Sequence, residues 1–545
     1  MIIGRSGGRL RSGGPSDLSR AGPRITARYL ASSYGRYTMP TEAELIALRL
    51  EKRQQLLAVA DPYPARVQRT HTAVEAVTAF EEAGEPDPDA DGAEPVLATV
   101  VGRVTAQRVM GKAAFLDVRD GSGRIQLHFR RDLLGEDFEG LKLVDMGDFL
   151  EVSGPLFRTR TEEVTVAVRT WRVITKALRP LPEKWHGLTD VEARYRQRYL
   201  DLISNERSRE IALARPKVLR AVRNFFDDRD FIEVETPVLQ TEAGGAAARP
   251  FVTHHNSLDR DLSLRISLEL HLKRLLVGGM ERVFEIGRVF RNEGISTRNN
   301  PEFTLLESYE AYADVNDVAR MVQDLLKHVA RETLGTLQIP QPDGTVIDLE
   351  HGWQRTTYRT ALRDQTGIDY VKYPTVEAIT PVSEAHGVRV PPGTSYPKAL
   401  DNLMSDLVEP KLVQPTFMFD YPTEMSPLAK RKVDEEGVVE RFELFARGYE
   451  IANAYSELND PVDQRERMLE QAQNAAAGDD EAELADEDFI IALEHGMPPA
   501  GGLGIGIDRL VQLITGEHSI REVLLFPAMR DRDQPPDQPG DQDNG

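Results

Sequence analysis

Between Arg282 and Asp314 the chain alternates twice in the manner of a strand, on either side of a polar break. The runs Arg282–Arg291 and Glu302–Ala313 flank a decapeptide holding Gly294, Ser296, Asn299, Asn300 and Pro301. This spacing predicts an antiparallel hairpin with a long loop. Alternation fixes the faces: Phe303, Leu305, Glu307 and Tyr309 share one side of the second strand, while Arg291 and Glu293 stand at the loop mouth. A buried strand face is ordinarily Val, Ile and Leu. An aromatic plate, a carboxylate and a phenol on one face need a ligand or a salt network to satisfy them, unless the hairpin simply lies on the surface.

At 545 residues the chain is too long for one compact domain and is expected to hold two or three. Lys and Arg number 67 against 88 Asp and Glu, a net charge of −21, which argues against broad non-specific binding of polyanions. Any nucleic acid must therefore meet a local basic or aromatic surface. There is no cysteine, so disulfides and thiolate metal sites are excluded. No apolar run reaches 18 residues, so no membrane span is expected, and the cytoplasm is the expected location.

Residues 1–38 are Gly-, Ser- and Arg-rich without apolar periodicity and read as a disordered extension. Their composition also suits an organelle transit peptide. The favoured reading is that Met39 is the natural start, because Thr41-Glu42-Ala43-Glu44 forms a capping box that opens a helix over Glu42–Val59. That helix, with Leu45, Leu48 and Leu56, reads as a solvated flank within a helical region over 39–95.

From Val96 the period changes to two. Strand-like runs at Val96–Thr105, Ala113–Arg119, Arg124–Arg130, Asp148–Phe157 and Glu163–Ile174, with a helical interval after the third, predict a small OB-type β-barrel over 96–175. Pro180-Leu181-Pro182 lies in an expected hinge, 176–200, followed by a large domain over 201–530 and an acidic disordered tail, 531–545. Pro216 suits a first helical turn, after which Val218, Leu219, Val222, Phe225 and Phe226 share one face and lead to a strand-like run, Phe231–Pro237. Glu443 and Glu450 flank a turn at Arg447-Gly448 that can bring two acids together, which then need a cation or a proton. Beyond it Asn453, Tyr455 and Glu457 alternate onto one face. The glycines of Gly501–Gly506 precede Arg509 and an amphipathic helix carrying Leu510, Val511 and Ile514; there is no G-K-[ST], so this is not a P-loop. His254-His255 invites a metal reading, but adjacent strand residues point apart and no H-E-x-x-H exists.

The string F-R-N-E-G-I-S-T-R-N-N-P-E-F resembles the second signature motif of class II aminoacyl-tRNA synthetases, in wording close to the lysine enzymes, and the similarity runs from about residue 40 to about residue 530. The resemblance implies an α+β chain: an N-terminal OB-fold that binds an anticodon, then a catalytic domain built on an antiparallel sheet flanked by helices. Residues 216–237 look like the first motif, a homodimer interface, with Asp230 where relatives usually have Gly. Gly245 and Glu269 would hold the α-amino group of lysine, with Leu268 where relatives more often have Pro. Glu457, helped by Tyr309, would meet the ε-ammonium, and Glu307, Asn453 and Tyr455 would complete the pocket. Arg291 and Arg509 would cancel charge on ATP, Phe303 would stack on adenine, Glu293 would fix its amino edge, and Asn299 stands in the phosphate-side loop where relatives often have His. Glu443 and Glu450 would carry Mg²⁺ shared with the phosphates. Ala452 and Ala454 replace common glycines and are expected to leave less room. In the barrel, Phe115 would stack on a base, Gln126 would read one, and Arg103 and Arg108 would contact phosphates.

The implied activity is activation of L-lysine with ATP and transfer to the 3′ end of lysine tRNA. The amino-acid carboxylate, with a pKa near ~3.5, is already ionised at neutral pH, so activation needs no general base. Two other functions stay open at this point: a lysine ligase acting on a protein, whose representatives typically lack the OB domain, and a silent tRNA-binding regulator, which would be expected to lose Arg291, Glu443, Glu450 and Arg509.

Overall fold

The computed structural model describes residues 41–86, 94–182, 188–246, 248–476 and 486–531; the extension over 1–38 and nearly all of the acidic tail lie outside the described residues. The chain divides into two compact units at Leu181/Pro182.

In the first unit, α1 (Glu42–Leu57) opens on the capping box that Thr41 and Glu44 predict. The Thr41 amide donates to Glu44 Oε2 at 2.7 Å, and the Glu44 amide donates to Thr41 Oγ1 at 3.3 Å. The helix is largely solvated, as expected of a flank, but it is anchored by Arg49, which is buried and donates to the carbonyls of Met146, Ala177 and Arg179.

The barrel strands are β1 (Leu97–Met110), β2 (Ala113–Arg119), β3 (Arg124–Arg130), β4 (Phe149–Arg158), β5 (Val164–Ala167) and β6 (Thr170–Thr175), with helical turns over Arg131–Leu143 between β3 and β4. β1 pairs with both β2 and β4, β3 with β2 and β5, and β5 with β4, which closes the barrel around Val100, Val104, Leu116, Leu127, Phe129, Leu150 and Val166. The fifth expected run is two strands. Between them the chain steps across Gly154: the Val168 amide donates to His128 O at 3.0 Å and the Arg169 amide to Ser153 O at 2.9 Å. A Cβ at 154 would stand 2.0 Å from the Ala167 carbonyl oxygen, so the crossing requires glycine.

The expected hinge is not uniform. Lys176 is buried in the first unit against Asp145 and Asp148, whereas Arg198 is buried in the second against Asp201.

In the second unit, Pro216 lies deep inside α2 (Glu206–Asp227) rather than in a first turn. An interior proline costs about 3 kcal/mol in lost hydrogen bonding and sterics. Burial of Ile211, Val218, Ala221, Val222, Phe225 and Phe226 along one face offsets it. Of the run Phe231–Pro237 only β7 (Ile232–Glu233) pairs as a strand. Asp230 takes φ +60°, the left-handed conformation that favours glycine.

The sheet of this unit has eight strands: β7, β8 (Arg282–Phe290), β9 (Glu302–Ala311), β10 (Gln354–Thr357), β11 (Thr416–Pro422), β12 (Val438–Ala446), β13 (Tyr449–Ser456) and β14 (Ala500–Gly506). Their spatial order is β10-β11-β12-β13-β14-β9-β8-β7, antiparallel except for the two edge pairs. The predicted hairpin is β8–β9, with Val289 opposite Phe303 and Glu285 opposite Glu307. One face of the sheet is apolar: Leu306, Phe442, Leu444 and Ile505 pack with Val318, Val322, Leu325 and Val329 of α3 (Val315–Leu334). Ala452 and Ala454 belong to this core, so their methyl groups point away from the opposite face and do not narrow it, contrary to expectation. Helices over Tyr358–Thr366, Val376–Ala385 and Tyr396–Leu407 form a further core around Tyr358, Leu362, Leu400 and Leu403.

Candidate active site

The other face of the sheet floors a cleft of about 440 Å³. Of the residues singled out in this half of the chain, Gly245, Glu269, Arg291, Glu293, Asn299, Phe303, Glu307, Tyr309, Glu443, Glu450, Asn453, Tyr455 and Arg509 line it; Glu457 does not. Strand alternation accounts for most of this, since Phe303, Glu307 and Tyr309 on β9 and Asn453 and Tyr455 on β13 are spaced by two or four residues.

The inner end is acidic and buried. Glu269 opens α4 (Glu269–Val277); its carboxylate accepts the Tyr455 hydroxyl at 2.7 Å and pairs with Lys273, one helical turn on, at 2.5 Å. Lys273 also pairs with Glu457 at 2.5 Å, and neither side chain of that pair is exposed. Burial alone would pull the Lys273 ammonium down, but Glu269 and Glu457 outweigh it and hold it above the ordinary lysine range. Glu457 lies behind Gly502, which does line the cleft: a Cβ there would stand 1.8 Å from Glu457 Oε1, an oxygen that has no hydrogen-bond partner. Glycine at 502 therefore opens the cleft wall onto a buried carboxylate.

Glu307 is held by three donors: the Ser267 hydroxyl at 2.8 Å, the Leu268 amide at 3.0 Å and the Tyr309 hydroxyl at 3.0 Å. Proline at 268 could not make the second of these. Burial, with Glu269 adding to it, pushes the Glu307 carboxyl up to about 7. Gly245 has φ +86°, and a Cβ there would press on Glu269 and Ser267 at 3.1 Å, so the small-residue loop must come this close to the acids.

The outer end is built from guanidiniums and carboxylates held less tightly. Arg291 stands over the Phe303 ring, 5.2 Å from its centroid, and donates to the Ile266 carbonyl at 3.3 Å. Arg509, in the first turn of α5 (Ile507–Thr515), donates to Glu450 Oε2 at 2.9 Å. Arg447-Gly448 forms the two-residue turn between β12 and β13, both residues at positive φ. Glu443 accepts Arg441 at 2.6 Å and the Tyr421 hydroxyl at 2.8 Å. Thus each of the two acids expected to need a cation already faces an arginine. Even so, burial pushes Glu443 up to about 8 against the pull of Arg441, with Glu450 and Glu409 adding to the rise. A hard cation between these acids and an anionic ligand fits that donor chemistry. The loop between β8 and β9 is tied by the Ser296 amide, which donates to Asn299 O at 3.1 Å, and by the Asn299 amide, which donates to Ser296 Oγ at 3.0 Å.

Sequence reasoning missed Lys273 and Arg441. Lys273 is four residues beyond Glu269, a spacing that could have flagged an ion pair on one helix face; Arg441 alternates with Glu443 on β12.

On the barrel, Phe115 stacks on His128 with centroids 4.4 Å apart and planes 4° apart, and Phe157 lies 5.8 Å from the same imidazole. Arg108 is exposed opposite Phe115 in the β1–β2 register. Gln126 is buried and accepts the Thr165 hydroxyl at 3.1 Å. Arg103 is engaged within the barrel, over the Phe149 ring at 4.3 Å and donating to Gly147 O at 3.2 Å.

The family described as tRNA synthetases class II (D, K and N) matches residues 190–530, and the OB-fold nucleic acid binding domain matches residues 98–174. A lysine–tRNA ligase of Pelotomaculum thermopropionicum is 50% identical over 494 residues, 90% of this chain and 96% of that protein. Those of Carboxydothermus hydrogenoformans and Moorella thermoacetica are 50% and 49% identical, covering 99% and 100% of their own lengths. With both family matches in order along the chain and half of the aligned residues identical to those of full-length relatives, this protein belongs to the class II tRNA synthetases (D, K and N), in the lysine–tRNA ligase family.

Proposed function

We propose that the cleft activates L-lysine with ATP and passes it to the 3′ end of a lysine tRNA whose anticodon is held by the barrel. The observation that carries this reading is the polarity of the cleft, with buried carboxylates at one end and arginines at the other. The lysine carboxylate attacks the α-phosphorus of ATP; a carboxyl-oxygen–phosphorus bond forms and the bond to pyrophosphate breaks. A terminal ribose hydroxyl of tRNA then attacks the activated carbonyl, and AMP leaves.

The residue roles are part of the proposal. Glu269, beside Gly245, takes the α-ammonium. Glu307, Tyr309 and the Glu457 oxygen behind Gly502 take the ε-ammonium, with Asn453 and Tyr455 bounding the side chain. An acidic site left without its cation is costly, so neutral side chains are rejected. Phe303 stacks on the adenine and Glu293 meets its amino edge, Arg509 stacks on the adenine and meets the γ-phosphate, Arg291 cancels charge on the phosphate oxygens, and Asn299 faces the outer phosphates. Positioning and cancellation of phosphate charge supply the rate enhancement, and no histidine base is required. Mg²⁺ on Glu443 and Glu450, when bound, adds positive charge against the phosphate oxygens. Phe115 stacks on an anticodon base, Gln126 reads one, and Arg103 and Arg108 meet backbone phosphates.

The segment over 216–237 is proposed as the homodimer interface, and the cytoplasm as the site of action. Among the described residues no helix is long and apolar enough to cross a membrane. The test is lysine-dependent ATP–pyrophosphate exchange, followed by charging of lysine tRNA with its natural and an altered anticodon. Exchange with anticodon-sensitive charging is expected; exchange without charging would overturn the tRNA half of the reading.

A further inference from the structure

Lys273 is a cation at the bottom of a site meant for a cation. It has no exposed surface, and its ammonium bridges two carboxylates from different parts of the chain, Glu269 at the start of α4 and Glu457 just beyond β13, at 2.5 Å each. A single ammonium in contact with both fixes the separation of the two carboxylates. Aromatic faces enclose it, Tyr455 at 5.5 Å and Phe489 at 5.9 Å from their centroids. The Tyr455 hydroxyl ties down Glu269 from the cleft side. What remains for a ligand is the outward side of Glu269 and the unpartnered Oε1 of Glu457 behind Gly502.

We propose that Lys273 is a specificity-determining positioning residue: by bridging Glu269 and Glu457 it sets the spacing at which the two ends of the amino acid are read, and so the length of side chain the site accepts. The inference rests on the reading that Glu269 meets the α-ammonium and Glu457 the ε-ammonium. Three carboxylates with no internal cation would repel one another and spread, or take up protons. With Lys273 between two of them the spacing is rigid before substrate arrives, and one added methylene or one missing methylene is then felt at both ends. Preorganisation of this kind acts on binding of the amino acid, not on ATP.

The experiment compares Lys273→Met with the wild type in ATP–pyrophosphate exchange, using lysine, ornithine, which is one methylene shorter, and ATP as varied substrates. Lysine KM is expected to rise by about tenfold or more while kcat changes less, the preference for lysine over ornithine to fall by about tenfold, and the ATP KM to stay within about twofold, since one methylene in a fixed pocket carries roughly 10–200-fold discrimination. Unchanged lysine KM and unchanged preference in the folded variant would overturn the proposal. So would equal losses for lysine, ornithine and ATP, which indicate a merely structural role. Should Lys273→Met not fold, Lys273→Gln, which is one atom shorter and brings no charge to hold the two carboxylates together, is measured in the same way with the same expected and contrary results. Glu269→Gln and Glu457→Gln separate the two failures: if neither changes the lysine KM, the reading of those carboxylates is wrong, whereas if both do and Lys273→Met does not, only the spacing role is.

Discussion

The two ends of the cleft use the same kinds of charge in opposite ways. At the inner end the Lys273–Glu457 pair has 0% exposure on both side chains, while at the outer end the Arg509–Glu450 pair keeps 29% and 35%. A buried pair is held by its partners, because removing either leaves a charge without solvent; an exposed pair is close to neutral for stability and free to exchange partners. The inner end is therefore a fixed mould for a small cation, and the outer end a set of charges that can be rearranged around a large anion.

Breaking the inner end should have the largest effect. Glu457→Gln removes one partner of a buried pair and is expected to lower folding stability by about 3 kcal/mol, the lower part of the usual range because Glu269 remains on Lys273. Denaturant melts read that loss, and exchange assays should show the lysine requirement rising with it; a variant as stable as the wild type with an unchanged lysine KM would erase the distinction between the two ends. Arg509→Ala should do the reverse. Its stability should stay within about 1 kcal/mol, as for other exposed pairs. Its exchange rate should fall about 10²-fold or more, as when one preorganised donor to developing charge is removed.

A pH series sharpens the comparison at the inner end. Glu307 is raised from 4.5 to about 7 by burial and by Glu269. A raised folded-state pKa gives stability that is present below the unfolded value and lost as pH rises through the folded one. The ligand-free protein should therefore lose stability between pH 4.5 and about 7 from this group. Lysine brings a cation to the ionised carboxylate, so its binding should tighten across the same window. Thermal melts with and without lysine check both, and Glu307→Gln should flatten the dependence; a pH-independent lysine effect in the wild type would contradict it. The smallest effect lies outside the cleft. Asp230→Gly relieves a left-handed backbone, φ +60°, and should change stability by no more than about 1 kcal/mol with lysine KM unaltered.

Much of this was legible from period and spacing. Alternation on β9 placed Phe303, Leu305, Glu307 and Tyr309 on one face, and the capping box at Thr41 marked a helix start. The resemblance to class II synthetases supplied the roles. What periodicity could not supply were interactions between distant segments. Nothing in the neighbourhood of Glu457 announces that Lys273 reaches it, 184 positions earlier in the chain. Pro216 read as a helix start because local chemistry favours that position; packing of Val218, Val222, Phe225 and Phe226 overrode it. Ala452 and Ala454 read as obstructions because spacing alone does not say which face of β13 meets the core. In the barrel, the run after Glu163 becomes two strands where it crosses Gly154, and only the crossing backbone reveals why.

Whether the inner end is a mould for a cation can be asked of the unmodified protein by replacing lysine with norleucine, its isostere without the ε-ammonium, in ATP–pyrophosphate exchange. Three carboxylates sharing one internal cation should reject it by about 10⁴-fold in kcat/KM, the range seen when a buried polar site loses its partner. Exchange with norleucine within tenfold of that with lysine would mean that the buried carboxylates hold the fold together and do not choose the substrate.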